Sequence, residues 1–292
     1  MTTPTPNVFL FGAGTVASAL ASALRHAGVP VLGLWARRPD AVRTAAALSG
    51  VAGYSGPLPD LMSEADALII AVRDEAIAEV ASSLASSAFL SPRAVALHCS
   101  GGTPSAQALA PLAGRVRGLG TLHPLRAFTD ARRAAIKLPE TTFAVEGDPA
   151  AVDVATQLAF AIGSRPLRLT ADDLPAYHAA AVLASNALVA LLADASAVLG
   201  GLGLPRESAL AALLPLAMGT LDNLGAVGLP KALTGPIMRG DAAVVARNLA
   251  ALTDPDIANT YRVLAHRTIV LARERGTPEA DLARVAEALG KR

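Results

Sequence analysis

The sequence of 292 residues predicts an α/β protein: a doubly wound parallel sheet followed by an all-α domain. Three observations carry this prediction. Short apolar runs alternate with helical stretches in the first half, a glycine-rich turn follows the first run, and only helical patterns follow residue 170. We therefore predict two domains, residues 1–170 and residues 171–292.

The predicted strands are short apolar runs of the length expected for strands that are covered on both faces. A helix is expected at Ala150–Ile162. The clearest strands are Val8–Phe11, Val31–Trp35, Ala67–Val72 and Ala94–His98, and the weaker ones are Val116–Leu119, Thr142–Val145 and Pro166–Leu169.

The second domain begins with Thr170-Ala171-Asp172-Asp173, which resembles a capping box with Asp in place of the usual Glu. Pro175 is tolerated in the first turn, and no helix breaker follows it until Gly200. We therefore expect one helix of about 30 residues and about 45 Å. The later helical patterns are Pro205–Leu224, Ala242–Leu252, Pro255–Gly276 and Pro278–Leu289.

Composition excludes several classes of protein. A net charge of +1 argues against a nucleic-acid partner, and 52% hydrophobic residues argue against disorder over most of the chain. The single Cys99 excludes an intrachain disulfide and a thiolate metal cluster, so no metal site is expected. The apolar run Ala179–Ala193 is shorter than the roughly 20 residues of a membrane span and is expected to be a buried core helix. With no signal-peptide pattern at the N-terminus, we expect a soluble cytoplasmic protein.

The turn after the first predicted strand has the pattern GxGxxA, from Gly12 to Ala17. Gly12 permits the tight turn, Gly14 lets the backbone approach a pyrophosphate, and the small Ala17 permits close packing of helix on strand. The helix N-terminus then faces the phosphates. This is the fingerprint of a dinucleotide-binding Rossmann domain. Its expected contacts are Gly12, Ala13, Gly14, Thr15 and Val16.

The end of the second predicted strand indicates which nucleotide binds. NAD-binding proteins usually place an acidic residue there for the ribose hydroxyls, but this chain has Arg37 and Arg38. Arginine suits the 2′-phosphate of NADP, so NADP(H) is the predicted cofactor. Solvent-exposed turn arginines are the alternative. The missing acid also argues against S-adenosylmethionine.

Two further strand ends are expected at the same edge of the sheet, where ligands of such folds bind. Val72 follows one strand, and Ser100 and Gly101 follow the next, where a hydroxyl and backbone N–H groups would face the nicotinamide. His98 and Cys99 at this strand end could equally be buried structural residues. His123, restricted by the following Pro124, is a candidate contact of the substrate or the cofactor.

The long helix of the second domain carries His178, Ser185 and Asn186 in an otherwise apolar stretch, where polar side chains need partners. We expect these residues at the catalytic site, although nearby backbone or a subunit interface could also satisfy them. A later loop contains Arg239 and Asp241, which could bind the substrate or pair with each other.

The segments GAGTVA, HCSGG, LHPLRAF, HAAAVLASN and TGPIMRGD, in this order, resemble a bacterial family of Rossmann-like proteins with a C-terminal helical domain. The resemblance covers nearly the whole chain. More remotely, the architecture is similar to that of ketopantoate reductases, β-hydroxyacid dehydrogenases and pyrroline-carboxylate reductases, in which the active site lies between the two domains. It implies a C-terminal domain like that of 6-phosphogluconate dehydrogenase and a symmetric homodimer formed through that domain.

One departure from these families matters for the mechanism. Ketopantoate reductases and β-hydroxyacid dehydrogenases carry a catalytic lysine four residues before an asparagine, and if Asn186 matches that asparagine, the position holds Val182. We expect an NADP(H)-dependent reductase of a small carbonyl substrate, such as the 2-oxo acid ketopantoate. Because the lysine is missing, another group must supply the proton, and His178 is the first candidate acid and His123 the second. The alternative is a non-catalytic NADP-binding sensor or scaffold.

Overall fold

The computed structural model describes residues 5–290, which form two compact units that divide between Ser185 and Asn186. The first unit therefore includes residues 171–185, which the sequence assigned to the second domain. Its eight strands are β1 Val8–Phe11, β2 Val31–Trp35, β3 Gly53–Tyr54, β4 Ala67–Ile70, β5 Val95–His98, β6 Gly118–Pro124, β7 Thr142–Gly147 and β8 Arg165–Arg168.

Seven helices accompany these strands in the first unit. Several of them cover the sheet, and short 3-10 turns lie between some of them. They are α1 Thr15–His26, α2 Pro39–Ser49, α3 Asp74–Ala85, α4 Ser105–Ala108, α5 Ala131–Lys137, α6 Pro149–Ala161 and α7 Leu174–Ala184.

The strands form one sheet in the order β3-β2-β1-β4-β5-β6-β7-β8. This order confirms the predicted doubly wound fold, with the reversal of strand order between β1 and β4. Strands β1 to β6 are parallel, but β7 runs antiparallel to β6, with Thr121 opposite Glu146 and Pro124 opposite Phe143. The seven residues of α5 span about 10 Å, which is less than the roughly 23 Å of β6. This helix therefore does not return the chain to the end of the sheet at which β6 begins, as a parallel strand would require.

The sheet is buried on both faces, as the continuous apolar strands predict. One face packs against α1, α2 and α6, with Leu10, Leu97 and Phe143 fully buried. The other face packs against α3 and the segment after α4, with Phe9 and Ile70 fully buried. The predicted strand Val116–Leu119 is in fact Gly118–Pro124, so His123 lies within β6 rather than after it.

The predicted continuous helix from Asp172 to Gly200 is interrupted. The capping box at Thr170 and Asp173 forms as expected. However, α7 ends at Ala184, and Ser185 leaves the helical conformation at φ −120° and ψ −73°. Its N–H group is shared between the carbonyl oxygens of Ala181 and Val182, at 3.1 and 3.4 Å. Neither Gly nor Pro marks this break, so the sequence pattern gave no sign of it.

The second unit is all-α, as predicted, and its core forms from α10 to α12, where Val245, Ala272 and Val285 are fully buried. Its helices are α8 Asn186–Gly201, α9 Arg206–Val227, α10 Ala242–Ala251, α11 Pro255–Glu274 and α12 Glu279–Leu289.

The apolar helices α8 and α9 are largely exposed in the single chain. Ser196 is the buried residue of α8, and Ala209 that of α9. The expectation that Ala179–Ala193 is a buried core helix is therefore wrong, because apolar composition alone does not provide a packing partner. The stretches Ala171–Gly201 and Arg206–Val227 are long and apolar enough to span a membrane by length and composition alone.

Candidate active site

The glycine turn after β1 has the geometry that the fingerprint requires. Gly12 adopts φ +131°, and a Cβ at this position would lie 2.2 Å from the carbonyl oxygen of Ala71, so no other residue fits without a backbone shift. Ala17 is fully buried and lies 3.3 Å from the same Cβ position. The turn therefore presses α1 closely against the ends of β1 and β4.

The N-terminus of α1 is suited to an anion. Gly14 is the N-terminal cap and is exposed, and a Cβ there would meet no heavy atom within 4 Å. No side chain caps the helix, and its first turn contains no acidic residue. The backbone N–H groups of this turn, which includes Thr15 and Val16, thus meet the helix dipole at an open surface. Ala13 and Val16 pack partly against the core, which fixes the turn from below.

The two arginines after β2 differ in their surroundings. Arg37 forms an exposed ion pair with Glu79 on α3, with 2.9 Å between Nη1 and Oε1. Arg38 is the N-terminal cap residue of α2 and is exposed, and no ion pair holds its guanidinium among the described residues. Arg38 is therefore the arginine that is free to bind a phosphate group.

The ends of β4 and β5 bring Asp74 and Ser100 together. Ser100 is 4% exposed, and its hydroxyl donates to Oδ2 of Asp74 at 2.8 Å. The backbone N–H of Ser100 donates to Nδ1 of His98 at 3.1 Å, so it is not free for a ligand as the sequence suggested. Val72 is half-buried beside them and packs against the core.

His123 and Tyr177 form the closest polar contact of the site. The Tyr177 hydroxyl lies 2.7 Å from Nδ1 of His123, and the two rings meet edge to face with centroids 5.6 Å apart. A Cβ at Gly101 would lie 2.7 to 2.9 Å from three atoms of the His123 ring, so only glycine lets the imidazole lie against this loop. Likewise, a Cβ at Gly102 would lie 3.4 Å from Cγ and Cδ2 of His178. The structure thus gathers His123, Tyr177 and His178 around one glycine pair.

Burial controls the charge of this cluster. Burial and, to a smaller extent, the neighbouring charge of His178 lower the pKa of His123 to about 4, although Asp74 opposes the shift. Burial also lowers the pKa of His98 to about 4 and raises the pKa of Tyr177 to about 12. At neutral pH both imidazoles are therefore neutral and the phenol keeps its proton, and we assign the Tyr177 hydroxyl as the donor to Nδ1 of His123. Burial raises the pKa of the Cys99 thiol to about 12, which leaves the thiol inert, as expected of a structural cysteine.

The remaining predicted residues lie elsewhere in the two units. Ser185 is the half-buried residue at the break after α7, and Asn186 is exposed and begins α8 in the second unit. Asp241 caps α10 by accepting the N–H of Val244 at 3.1 Å, so its carboxylate has a structural role. Arg239 is exposed, and among the described residues it does not pair with Asp241.

Four polar residues at or behind the site were not among the predicted site residues. Asp74 and Tyr177 are direct hydrogen-bond partners of Ser100 and His123. Thr121 and Glu146 are buried behind the loop after β5. Tyr177 could have been found from its position next to His178 on the same helix, but Thr121 and Glu146 depend on strand pairing, which the sequence pattern does not show.

Two family models match parts of this chain. Residues 7–94 match the family model described as "NADP oxidoreductase coenzyme F420-dependent", and residues 141–268 match a domain of unknown function, DUF2520. The two models match separate parts of the chain, one at each side of residues 95–140. No curated protein sequence is similar enough to this chain to count as a match.

Solved structures share the fold of this chain over nearly its whole length. A Thermotoga maritima protein is 24% identical with a TM-score of 0.73, over 92% of this chain and 99% of its own. A Bacteroides fragilis protein described as an NADP oxidoreductase is 23% identical with a TM-score of 0.69, over 91% and 98%. A Plasmodium falciparum pyrroline carboxylate reductase with NADP bound is 15% identical with a TM-score of 0.60, over 97% and 100%.

These matches bear directly on the predictions from the sequence. The solved structures confirm the Rossmann fold with a helical C-terminal region. The family model that matches residues 7–94 agrees with the predicted oxidoreductase class and NADP(H) cofactor. They do not concern the roles of individual residues.

Proposed function

We propose that this protein is an NADP(H)-dependent reductase of a small substrate with a polarised C=O or C=N bond. The observation that carries the proposal is the arrangement of one sheet edge. An uncapped helix N-terminus after β1 lies in the same Rossmann unit as a histidine–tyrosine cluster at the ends of β5 and β6. The first feature suits a dinucleotide phosphate, and the second offers proton-transfer groups in a partly buried setting.

The residues proposed to hold the cofactor follow the strand ends. Gly12, Ala13, Gly14, Thr15 and Val16 would surround the pyrophosphate, because their backbone lies at the open N-terminus of α1.

Beyond the pyrophosphate, Arg38 is proposed to bind the 2′-phosphate, with Arg37 adding charge despite its pairing with Glu79. Val72, Ser100 and Gly101 would border the nicotinamide. When bound, NADPH supplies the hydride that reduces the substrate. Because the hydroxyl proton of Ser100 is donated to Asp74, this side chain offers its oxygen lone pairs as acceptors.

His178 remains the proposed acid that protonates the product. Its ring is exposed and lies against Gly102, next to the buried cluster. His123 is unsuited to donate a proton as an imidazolium because its pKa is about 4, and we assign it instead to orienting the Tyr177 hydroxyl. A His178→Gln variant should lower kcat/KM by about 10² to 10⁴-fold, while its Kd for NADPH stays close to that of the wild type.

The proposed substrate contacts are the polar groups that the nucleotide does not use. Ser185 and Asn186 would orient the substrate, and Arg239 would bind a carboxylate. Asp241 is the weakest member of this set because it caps α10. Two substrate classes merit testing: 2-oxo acids such as ketopantoate, and cyclic imines, which the similarity to a pyrroline carboxylate reductase favours.

Self-association is the further part of this proposal. Leu216, Met218 and Val189 are between 61% and 70% exposed on α8 and α9, an unusual exposure for large apolar side chains on two neighbouring helices. A symmetric homodimer that buries these helices would remove this surface from water. Light scattering at micromolar concentration should give the mass of a dimer, and a monomer mass would contradict this part. We also expect a cytoplasmic location, with no nucleic-acid or membrane partner.

The experiment that tests the activity follows NADPH absorbance with both substrate classes, alongside NADPH and NADH binding by fluorescence. We expect turnover in one class and tighter binding of NADPH than of NADH. Arg38→Ala should weaken NADPH binding about tenfold or more and leave NADH binding nearly unchanged, with Arg37→Ala as the milder comparison. Tight NADPH binding without turnover on any substrate would support the non-catalytic sensor or scaffold instead. Absence of NADPH binding would refute both.

A further inference from the structure

A row of buried polar side chains lies behind the loop that carries Ser100. His98 and Thr121 are 0% exposed, Ser105 is 1% exposed and Glu146 is 5% exposed. The row crosses three neighbouring strands in register, because His98 on β5 is paired with Thr121 on β6, and Thr121 is paired with Glu146 on β7. Ser105 covers the row from α4.

The hydrogen bonds of this row have one consistent direction. The Glu146 carboxylate accepts from the Thr121 hydroxyl at 2.9 Å and from the N–H and hydroxyl of Ser105 at 3.0 and 3.2 Å. Since the single hydroxyl proton of Thr121 is used for Glu146, its oxygen accepts from Nε2 of His98, 3.1 Å away.

The other ring nitrogen of His98, Nδ1, connects this row to Ser100. Nδ1 accepts the backbone N–H of Ser100 while Nε2 donates to Thr121, so these two contacts together hold His98 as the neutral tautomer with its proton on Nε2. Consecutive hydrogen bonds therefore connect Glu146 to Thr121, Thr121 to His98, and His98 to the backbone of Ser100. These bonds end where the Ser100 hydroxyl donates to Asp74.

A buried carboxylate of this kind is costly to fold. Transfer of a charge from water to the protein interior is unfavourable unless hydrogen bonds or an opposite charge compensate for it. Within residues 5–290 no Lys or Arg forms an ion pair with Glu146, and its partners are neutral donors. Apolar side chains would fill this space more cheaply, which points to a role in fixing the orientation of the groups at its other end.

We propose that Glu146 and Thr121 are positioning residues that set the tautomer of His98 and, through it, the place of Ser100 at the nicotinamide end of the cofactor site. The inference rests on the proposed function, because Ser100 matters only where a cofactor binds. Glu146 itself acts at a distance through Thr121 and His98 and contacts neither cofactor nor substrate.

The decisive variant is Thr121→Val, which keeps the shape of the side chain and removes the hydroxyl. Imidazole ¹⁵N chemical shifts of the full-length protein report the His98 tautomer without any cofactor. We expect the wild type to show the Nε2–H form alone and Thr121→Val to show a mixture, with NADPH affinity reduced about tenfold. Thr121→Ser restores the hydroxyl and should restore both values.

The chain offers a matched control in Thr156→Val. The hydroxyl oxygen of Thr156 on α6 is buried and has no hydrogen-bond partner within residues 5–290, so the same chemical change breaks no hydrogen bond there. It should leave the His98 tautomer and the NADPH affinity unchanged. If Thr121→Val does not fold, Ser105→Ala removes one hydrogen bond to Glu146 and should weaken NADPH binding about threefold.

Two outcomes would overturn the inference. One is a wild-type protein that binds NADPH together with a folded Thr121→Val protein that has the wild-type tautomer and affinity. The other is a Thr156→Val protein that changes as much as Thr121→Val. A wild-type protein that does not bind NADPH refutes the proposed function instead, and the tautomer measurement distinguishes that case.

Discussion

The buried neutral His98 should make the stability of this protein sensitive to acid. Its pKa falls from the ordinary 6.5 to about 4, mainly because burial penalises the charged imidazolium, with Asp74 opposing the shift and His123 adding to it. Between these two values the unfolded chain binds a proton that the folded chain does not. The free energy of unfolding is therefore unaffected by His98 above pH 6.5 and decreases as the pH falls from 6.5 towards 4.

The size of this effect follows from the gap between the two pKa values. Protonation of His98 in the unfolded chain but not in the folded one lowers the free energy of unfolding by about 3 kcal/mol in all. About 2.5 kcal/mol of this decrease has already occurred at about pH 4.5. His98→Gln keeps one donor and one acceptor but cannot be protonated. Its stability should therefore decline less steeply with acid than that of the wild type, by about 1.4 kcal/mol per pH unit at most.

Urea unfolding, followed by circular dichroism at several pH values and constant ionic strength, measures this difference. Cys99→Ala is a matched control at the neighbouring position, because the raised pKa of the thiol keeps Cys99 neutral throughout the acid range. The control should follow the wild-type pH dependence. The reasoning would be refuted if His98→Gln and the wild type lost stability in parallel between about pH 6.5 and about pH 4.5.

Three further predictions concern single contacts. Gly12→Ala should lower the free energy of unfolding by about 1–3 kcal/mol and abolish NADPH binding, because the new Cβ would clash with a backbone carbonyl. Gly14→Ala should keep the wild-type stability, because its Cβ reaches open space. Urea unfolding measures the stability of both variants, and fluorescence measures NADPH binding. Tyr177→Phe should raise the pKa of His123 in an NMR titration, because the neutral imidazole loses its hydrogen-bond donor, and an unchanged titration would contradict the assigned direction. Asp241→Ala should cost about 1 kcal/mol by removing the cap of α10, with Asp241→Asn retaining most of the stability; a specific loss of substrate binding at normal stability would return this residue to the substrate site.

Local patterns in the sequence were enough to predict the Rossmann part of the fold. The strands Val8–Phe11 and Val31–Trp35 were predicted with their observed bounds, because continuous apolar runs between turn signals define buried strands. The glycine turn was equally predictable, since the requirement for Gly12 arises within a few residues along the chain. The contacts at the end of β2 were only half predictable, because pairing of Arg37 with Glu79 depends on the packing of α3.

The features that were missed depend on long-range contacts or on small backbone changes. The break at Ser185 needs neither Gly nor Pro, so the helical pattern continues through it. The partnership of His123 with Tyr177 joins residues 54 positions apart. The exposure of α8 was not predicted, because an apolar sequence indicates that a helix favours burial but does not indicate which element packs against it.

The reversed direction of β7 has a consequence for how the sheet assembles. Neighbouring residues of a strand point to opposite faces, so a shift of β7 by one residue against β6 would move Glu146 from the face of Thr121 to the other face. There the carboxylate would enter the apolar cluster that includes Phe143 and Leu158, away from the donors that Thr121 and Ser105 supply. Glu146 therefore helps to fix the register of β7 against β6. A shifted pairing would bury the carboxylate away from its donors, whereas the native register supplies its three hydrogen bonds.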